Sequence, residues 1–429
     1  MRLYSTLSRQ LEELAPPPGP IRMYFCGPTV YQRIHIGNAR PFVIAMWLRS
    51  WLRAQGYEAT LAINVTDVND KIYDAAREQG IPSAELAARA TQWYFDDTSL
   101  LGLGRPDVEP LATETVPEIV ALIEELIAGG LAYEAGGDVY FRVGRFPDYG
   151  CLSGQRPDQV EEQEPSALKD DPRDFALWKG RKEGEDTFWP SPWGEGRPGW
   201  HIECSAMAEK FLGREFEIHG GGLDLVFPHH ENEVAQSRGA GRPFAKVWMH
   251  NGMLRFTGEK MSKSLGNVAT LRDVVGEWGR ETLLLYFLTG LWRNPIDFST
   301  EAMEAARAQV ASFRNAFVGK DVAPAAALPQ ELVDALADDF NTPIALAVMH
   351  EWRADGRLEA LRAALELFGL GSLAEERAAP AAIVALAEAR REARARRDFA
   401  EADRLRDEIA AAGWDVRDAP DGFTLVPAS

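Results

Sequence analysis

The sequence predicts an α/β protein: a doubly wound parallel sheet, interrupted by an insertion and followed by a helical region. Three observations carry this. Residues 21 to 65 run strand, glycine-containing loop, helix, strand; the same patterning resumes near Gly199 and continues to about Phe298; beyond that the chain is Ala-rich with helical periodicity. Sheets of this kind bind ligands outside the carboxyl ends of their strands.

The elements follow in order. Ile21 to Phe25 is a short, β-rich apolar run that Gly27-Pro28 breaks. A helix is expected from about Ala39 to Gln55, with Pro41 in its first turn and Gly56 just past its end. Phe42, Val43, Met46, Trp47 and Trp51 fall near one stripe of it, and Ala59 to Val65 reads as a buried strand. Residues 71 to 132 read as mostly helical. Residues 136 to 199 differ, with a strand-like stretch at Asp138–Val143 and then many turn formers and acids. Helices are expected at Glu301–Phe317, Leu328–Leu336, Pro343–Glu351 and Leu358–Phe368. The tail is helical from Pro380 to Ala412 and ends in two apolar runs around Pro420-Asp421-Gly422. The organisation predicted is 1–135 and 199–300 for the two halves of the sheet domain, 136–198 for the insertion, 301–380 for a helical bundle and 381–429 for a small terminal region.

A chain of 429 residues with 46% apolar and 26% charged residues is ordinary globular material, long enough for several domains. Its three cysteines, Cys26, Cys151 and Cys204, are too few and scattered for a disulfide framework, which leaves thiols free for metal or chemistry in a reducing compartment. With no apolar leader and no run of 18 apolar residues, a cytoplasmic protein without membrane attachment is expected. The net charge of −19 argues against unselective coating of nucleic acid, but is compatible with an enzyme bearing a few local basic surfaces.

Two segments suit a nucleotide. His35-Ile36-Gly37-Asn38 stands where the first loop becomes a helix: glycine lets a phosphate approach the backbone, the helix N-terminus favours an anion, and His35 can donate to a phosphate oxygen as charge develops. By itself the quartet reads more readily as an ordinary turn into a helix. Lys260-Met261-Ser262-Lys263-Ser264 offers two point charges on a Ser-rich loop, suited to a polyphosphate.

A third set suits a metal. His229 and Glu233 are four residues apart on one helical face that begins at Pro228; Cys204 and Cys26 are the other soft or borderline donors. From spacing alone a surface His/Glu pair and two core cysteines would look the same.

Longer motifs add specificity. Cys26-Gly27-Pro28-Thr29-Val30-Tyr31, Thr66-Asp67-Val68-Asn69-Asp70-Lys71, Asp174 to Lys179, Gly199 to Met207, His219 to Glu233, Asp338 to Pro343 and Asp398 to Asp403 run in register along nearly the whole chain. With the His35 quartet and the KMSKS loop they resemble the cysteinyl-tRNA synthetase family, class I aminoacyl-tRNA synthetases with a Rossmann-type catalytic domain, a connective insertion, a helical domain and an anticodon-binding end. One departure is Asn38, where class I members most often carry a second His.

The resemblance implies one zinc ion per subunit on Cys26, Cys204, His229 and Glu233, with Cys151 left to packing. It implies that Thr66 and Asp224 hold the backbone groups of L-cysteine, that Trp200 and His219 line the pocket for its side chain, and that Gly220, Gly221 and Gly222 allow close approach to substrate and adenine. His35, Gly37, Asn38, Lys260 and Lys263 would bind ATP with Mg2+, and His35, Lys260 and Lys263 would stabilise the reacting phosphates. It implies a monomer acting on tRNA(Cys). Five arginines between 390 and 397 face one acid, Glu392, and among them Arg390, Arg391, Arg394 and Arg397 are candidates for RNA contact; a solvated helix with ion pairs gives the same pattern. Two rivals share the motifs: a ligase joining cysteine to an amino sugar, and an inactive RNA-binding paralogue.

Overall fold

The computed structural model describes residues 1–156, 164–256, 269–375, 379–419 and 422–427. An N-terminal hairpin of β1 (Arg2–Ser5) and β2 (Gln10–Glu13) precedes the sheet domain. That domain begins with β3 (Pro20–Phe25), α1 (Ile36–Ala54) and β4 (Glu58–Ile63), followed by α2 (Asp70–Gln79), α3 (Ser83–Ser99) and α4 (Val116–Ala128). An antiparallel sheet then forms from β5 (Ala132–Ala135), β6 (Asp138–Phe141), β7 (Phe175–Gly180) and β8 (Gly196–Pro198). The chain returns through α5 (Trp200–Leu212), β9 (Glu215–Gly222), α6 (Glu231–Gly239) and β10 (Phe244–Asn251).

The main sheet has the order β10-β9-β3-β4, every pair parallel. From β3 the chain crosses through α1 to β4 on one side; from β9 it crosses through α6 to β10 on the other. The strand order therefore reverses between β3 and β9, and a crevice opens outside their carboxyl ends. Both faces of a parallel sheet must be covered, and most residues of β3, β4, β9 and β10 are accordingly buried.

The apolar core does not stop at the sheet. β11 (Leu254–Phe256) pairs with β12 (Ile296–Phe298), and between them lie α7 (Leu271–Trp278) and α8 (Arg280–Leu288). Next come α9 (Thr300–Phe317), α10 (Gln330–Ala337), α11 (Thr342–Asp355) and α12 (Leu358–Leu367). Residues of these helices share one apolar cluster with α1 and the strands. Trp47 of α1 is the hinge of this packing: its indole N–H donates to the Phe368 carbonyl at 2.9 Å while its ring meets Phe368 edge-on at 5.3 Å.

The tail is two helices where one continuous helical stretch was expected. α13 (Ala381–Ala395) and α14 (Phe399–Ala411) are separated by a turn in which Arg397 takes a positive φ of 64°. Asp398 caps α14 through its carboxylate, which accepts the Glu401 N–H at 3.2 Å. Asp398-Phe399-Ala400-Glu401 is thus an acidic N-cap followed by Glu three residues on, the signal for a new helix start. The hairpin β13 (Trp414–Ala419) and β14 (Gly422–Pro427) packs Trp414, Val416, Phe423 and Leu425 on Ile383, Ala387 and Ile409, a small core of its own.

Candidate metal centre and active-site cleft

Cys26 follows β3 directly, and its backbone N–H donates to the Gly220 carbonyl at 2.9 Å, so the neighbouring strand fixes where the thiol points. Cys204 lies one turn into α5, buried beneath the crevice. His229 sits in a wide turn, Val226–His230, that leads into α6 and breaks regular helical geometry at Phe227. Glu233 follows in α6 itself and is fully buried. The regular helical face expected from Pro228 onward is therefore irregular in its first turn, yet His229 Nε2 and Glu233 Oε1 still meet at 3.2 Å.

These four side chains converge. The Cys26 and Cys204 sulfurs are 3.6 Å apart, Cys26 Sγ and Glu233 Oε1 are 3.6 Å apart, and one donor atom from each of the four lies within 4.8 Å of every other. A tetrahedral zinc with Zn–S near 2.3 Å and Zn–N or Zn–O near 2.0–2.1 Å would separate its donors by about 3.3–3.8 Å. The donor set fits the ion both in spacing and in chemistry: two thiols, an imidazole and a carboxylate.

A second grouping, Cys26, His219, His230 and Glu233, is equally compact. Its two histidines, like His229, also contact neighbouring side chains. His219 Nε2 contacts Glu233 Oε2 at 2.8 Å, a hydrogen-bond distance, and its ring stacks on Trp248 at 4.4 Å. His230 Nδ1 contacts His250 Nε2 at 2.7 Å, and His250 Nδ1 reaches the Thr6 hydroxyl at 2.8 Å. These contacts orient the set of four: His219 holds the spare oxygen of Glu233, His230 Nε2 approaches Cys26 Sγ at 3.3 Å, and His201 Nδ1 meets His229 Nδ1 at 2.9 Å.

Burial sets the charge state of these groups. It pushes the Cys26 thiol and the Glu233 carboxyl well above their usual ranges, the neighbouring Cys204 thiol adding to the Cys26 shift. It drives His229 and His230 well down and His201, His219 and His250 down to about 3. Neutral imidazoles suit metal ligation and its support, whereas the thiols must lose protons when a cation arrives.

Beside this cluster a cleft of about 390 Å³ opens at the strand reversal, lined among others by Cys26, His35, Gly37, Asn38, Trp200, Gly222 and Asp224. α1 is 19 residues long, and His35 is its N-cap without a capping bond from the side chain; its Nδ1 is buried without a protein partner. Burial lowers the His35 pKa, which Asp224 across the cleft partly opposes. Trp200 packs against His229 with ring centroids 4.3 Å apart, so it forms the wall between cleft and cluster.

Several expected residues are placed differently. His219 does not line the cleft; it is fully buried behind Glu233. Thr66 is buried too, its backbone paired with Pro28 and Val30. Of the three glycines only Gly222 reaches the cleft: a Cβ at Gly220 would stand 2.3 Å from the Phe25 ring, and one at Gly221 3.0 Å from the His230 ring. Cys151 lies away from the cluster, against Glu231. Lys260 and Lys263 fall outside the described residues. In the tail, Arg390 is buried and bonds the Asp418 carboxylate at 2.8 and 3.3 Å, and Arg394 pairs with the same Asp418. Arg391 and Arg397 are exposed.

The sequence reading missed His201, His230, His250 and Arg40. A signal existed for the histidines, since five of the chain's seven lie between 201 and 250. Arg40 gave none: it is buried and donates to the carbonyls of Gly252, Asn294 and Leu291 at 2.5, 2.8 and 3.0 Å, tying the cleft floor to the segment before β12.

Residues 15–308 match the model of the tRNA synthetases class I (C) catalytic domain, and residues 376–424 match the cysteinyl-tRNA ligase anticodon binding domain. The cysteine–tRNA ligase of Symbiobacterium thermophilum is 44% identical over 467 residues, covering 98% of each chain. Those of Anoxybacillus flavithermus and Halorhodospira halophila are 42% and 44% identical, again over 98% of each chain.

The chain belongs to the cysteinyl-tRNA synthetase family.

Among solved structures, this synthetase resembles the methionyl-tRNA synthetase of Mycobacterium tuberculosis in complex with methionyl-adenylate, with TM-score 0.58 and 14% identity over 82% of this chain and 90% of that one. It also resembles the LeuRS–tRNA–LeuAMS ternary complex of Agrobacterium radiobacter K84, with TM-score 0.56 and 12% identity over 84% of each. At such identities the likeness is one of fold, the class I α/β fold with helical and C-terminal regions. No described helix of the synthetase is long and apolar enough to cross a membrane.

Proposed function

We propose that the synthetase charges tRNA(Cys) with L-cysteine through a cysteinyl-adenylate, and that it selects cysteine by its thiol at a zinc ion held by Cys26, Cys204, His229 and Glu233. The observation that carries this is the convergence of two thiols, an imidazole and a carboxylate from three separate segments beside a cleft whose other wall is a helix N-terminus. Zinc binds sulfur well and favours the deprotonated thiol, which separates cysteine from serine where size alone would do so poorly.

The chain's own residues supply the rest. Trp200 covers the side chain of the bound amino acid from the cleft wall, and Asp224, in the same cleft, accepts hydrogen bonds from its ammonium group. The cysteine carboxylate then attacks the α-phosphorus of ATP and pyrophosphate leaves. His35, neutral because of burial, donates from the helix N-terminus to a phosphate oxygen, while Lys260 and Lys263 neutralise the rest of the charge; Mg2+ arriving with ATP would add to that neutralisation. In the second step the 2′-hydroxyl of the terminal adenosine attacks the adenylate carbonyl. No side chain is assigned as a general base. Exposed Arg391 and Arg397 meet the tRNA at the anticodon end, and the synthetase works as a cytoplasmic monomer.

The anticodon-binding match at 376–424 favours this reading over the amino-sugar ligase. Cysteine-dependent ATP–pyrophosphate exchange followed by transfer to tRNA(Cys) tests it: both are expected, and Cys204→Ala should lose zinc and exchange together. Exchange at the unaltered rate in zinc-free Cys204→Ala protein refutes the zinc assignment.

A further inference from the structure

The cleft must receive a polyphosphate in a chain of net charge −19, and among the described residues the lysines and arginines that line it are Arg33 and Lys71. Lys71 is exposed beside the Tyr31 ring at 5.9 Å. Arg33 is held in place. Its Nη1 bonds Asp97 Oδ1 at 2.5 Å and its guanidinium lies over the Trp93 ring at 5.2 Å. Asp97 belongs to α3 and its side chain is wholly buried, whereas that of Arg33 is 30% exposed and faces the cleft.

The same carboxylate oxygen serves a second arginine: Arg272 Nε, from α7, reaches Asp97 Oδ1 at 3.1 Å. Two guanidiniums on one carboxylate leave one positive charge in excess. The backbone places that charge next to His35, since the Ile36 N–H donates to the Ala269 carbonyl at 3.1 Å and the Leu271 N–H to the Ile34 carbonyl at 3.0 Å. The Arg33–His35 segment and the start of α7 are thereby clipped together, with Asp97 beneath them.

We propose that Arg33 is a phosphate-binding residue of the cleft, oriented by Asp97 and left with net positive charge because Arg272 shares that carboxylate. A guanidinium with one N–H committed to Asp97 keeps other donors in a fixed plane for phosphate oxygens, and burial of its partner spares it the entropy of ordering. The phosphates are those of ATP in the activation step or those near the 3′ end of the tRNA in transfer; the chemistry recognised is the same. This rests on the proposed function for the identity of the anion, not for the existence of the site.

Steady-state exchange and transfer kinetics of Arg33→Gln, Arg33→Lys and Arg272→Gln test it, with zinc content and melting temperature followed in parallel. If ATP is the ligand, Arg33→Gln raises KM for ATP about tenfold with KM for cysteine unchanged, since a charge-assisted bond is worth at least that factor. Arg33→Lys recovers part of the loss, and Arg272→Gln, which cancels the excess charge without entering the cleft, produces a smaller rise. If exchange is unchanged but KM for tRNA rises in transfer, the phosphates are those of the tRNA. If neither constant moves and only the melting temperature falls, Arg33 is a structural ion pair and the proposal fails. Absence of exchange in the unaltered protein would count against the proposed function; calorimetric binding of inorganic pyrophosphate to unaltered and Arg33→Gln protein then decides the Arg33 site by itself, equal affinities overturning it.

Discussion

Gly37 carries no Cβ for a reason visible in one distance: such an atom would stand 2.8 Å from ring atoms of His35. The glycine lets the imidazole fold over the first turn of α1; the sequence placed both residues at the helix entry, but read the glycine as room for a phosphate, not for the His35 ring. His219 was not legible in the same way. The resemblance puts it at the side-chain pocket, whereas the structure buries it against Glu233, whose buried carboxyl needs a partner for its second oxygen. His219→Ala is therefore expected to weaken zinc binding about 10–100-fold, by analogy with other partners that orient ligands, while KM for ATP stays the same. Zinc competition with a chromogenic chelator measures it; unchanged zinc affinity with raised KM for cysteine would return His219 to the substrate pocket.

At the scale of elements, boundaries marked by glycine, proline or a cap could be read, and those decided by tertiary contact could not. α1 starts at Ile36, not Ala39, because the loop before it is pinned to Ala269 and Leu271 by backbone bonds that no local signal announces. The break between α13 and α14 was local and readable in principle, since Asp398 and Glu401 have capping spacing. Asp398→Ala is expected to cost α14 about 1 kcal/mol, as N-cap losses do. Amide hydrogen exchange in the first two turns of α14 should accelerate about fivefold accordingly; unchanged exchange there would mean that packing on α13, not the cap, holds the helix start.

At the scale of the whole molecule, the sheet's strand order does the work that no sequence motif can describe. Placing β9 beside β3 brings Cys204, His229 and Glu233 to Cys26 from distant segments, and a pattern reader sees only which donors exist. The shared core likewise joins the sheet to α9–α12, whereas the tail from Pro380 onward keeps its own small core. Removing residues after Ala379 should therefore leave cysteine-dependent exchange nearly intact while raising KM for tRNA(Cys) strongly; equal loss of both would place the tail in the support of the catalytic domain. The most direct test of the metal centre is X-ray absorption at the zinc edge on the purified protein, with and without cysteine. One zinc per chain with two sulfur neighbours near 2.3 Å is predicted, rising to three when cysteine is added and staying at two with serine. A sulfur count unmoved by saturating cysteine would contradict recognition of the substrate through its thiol.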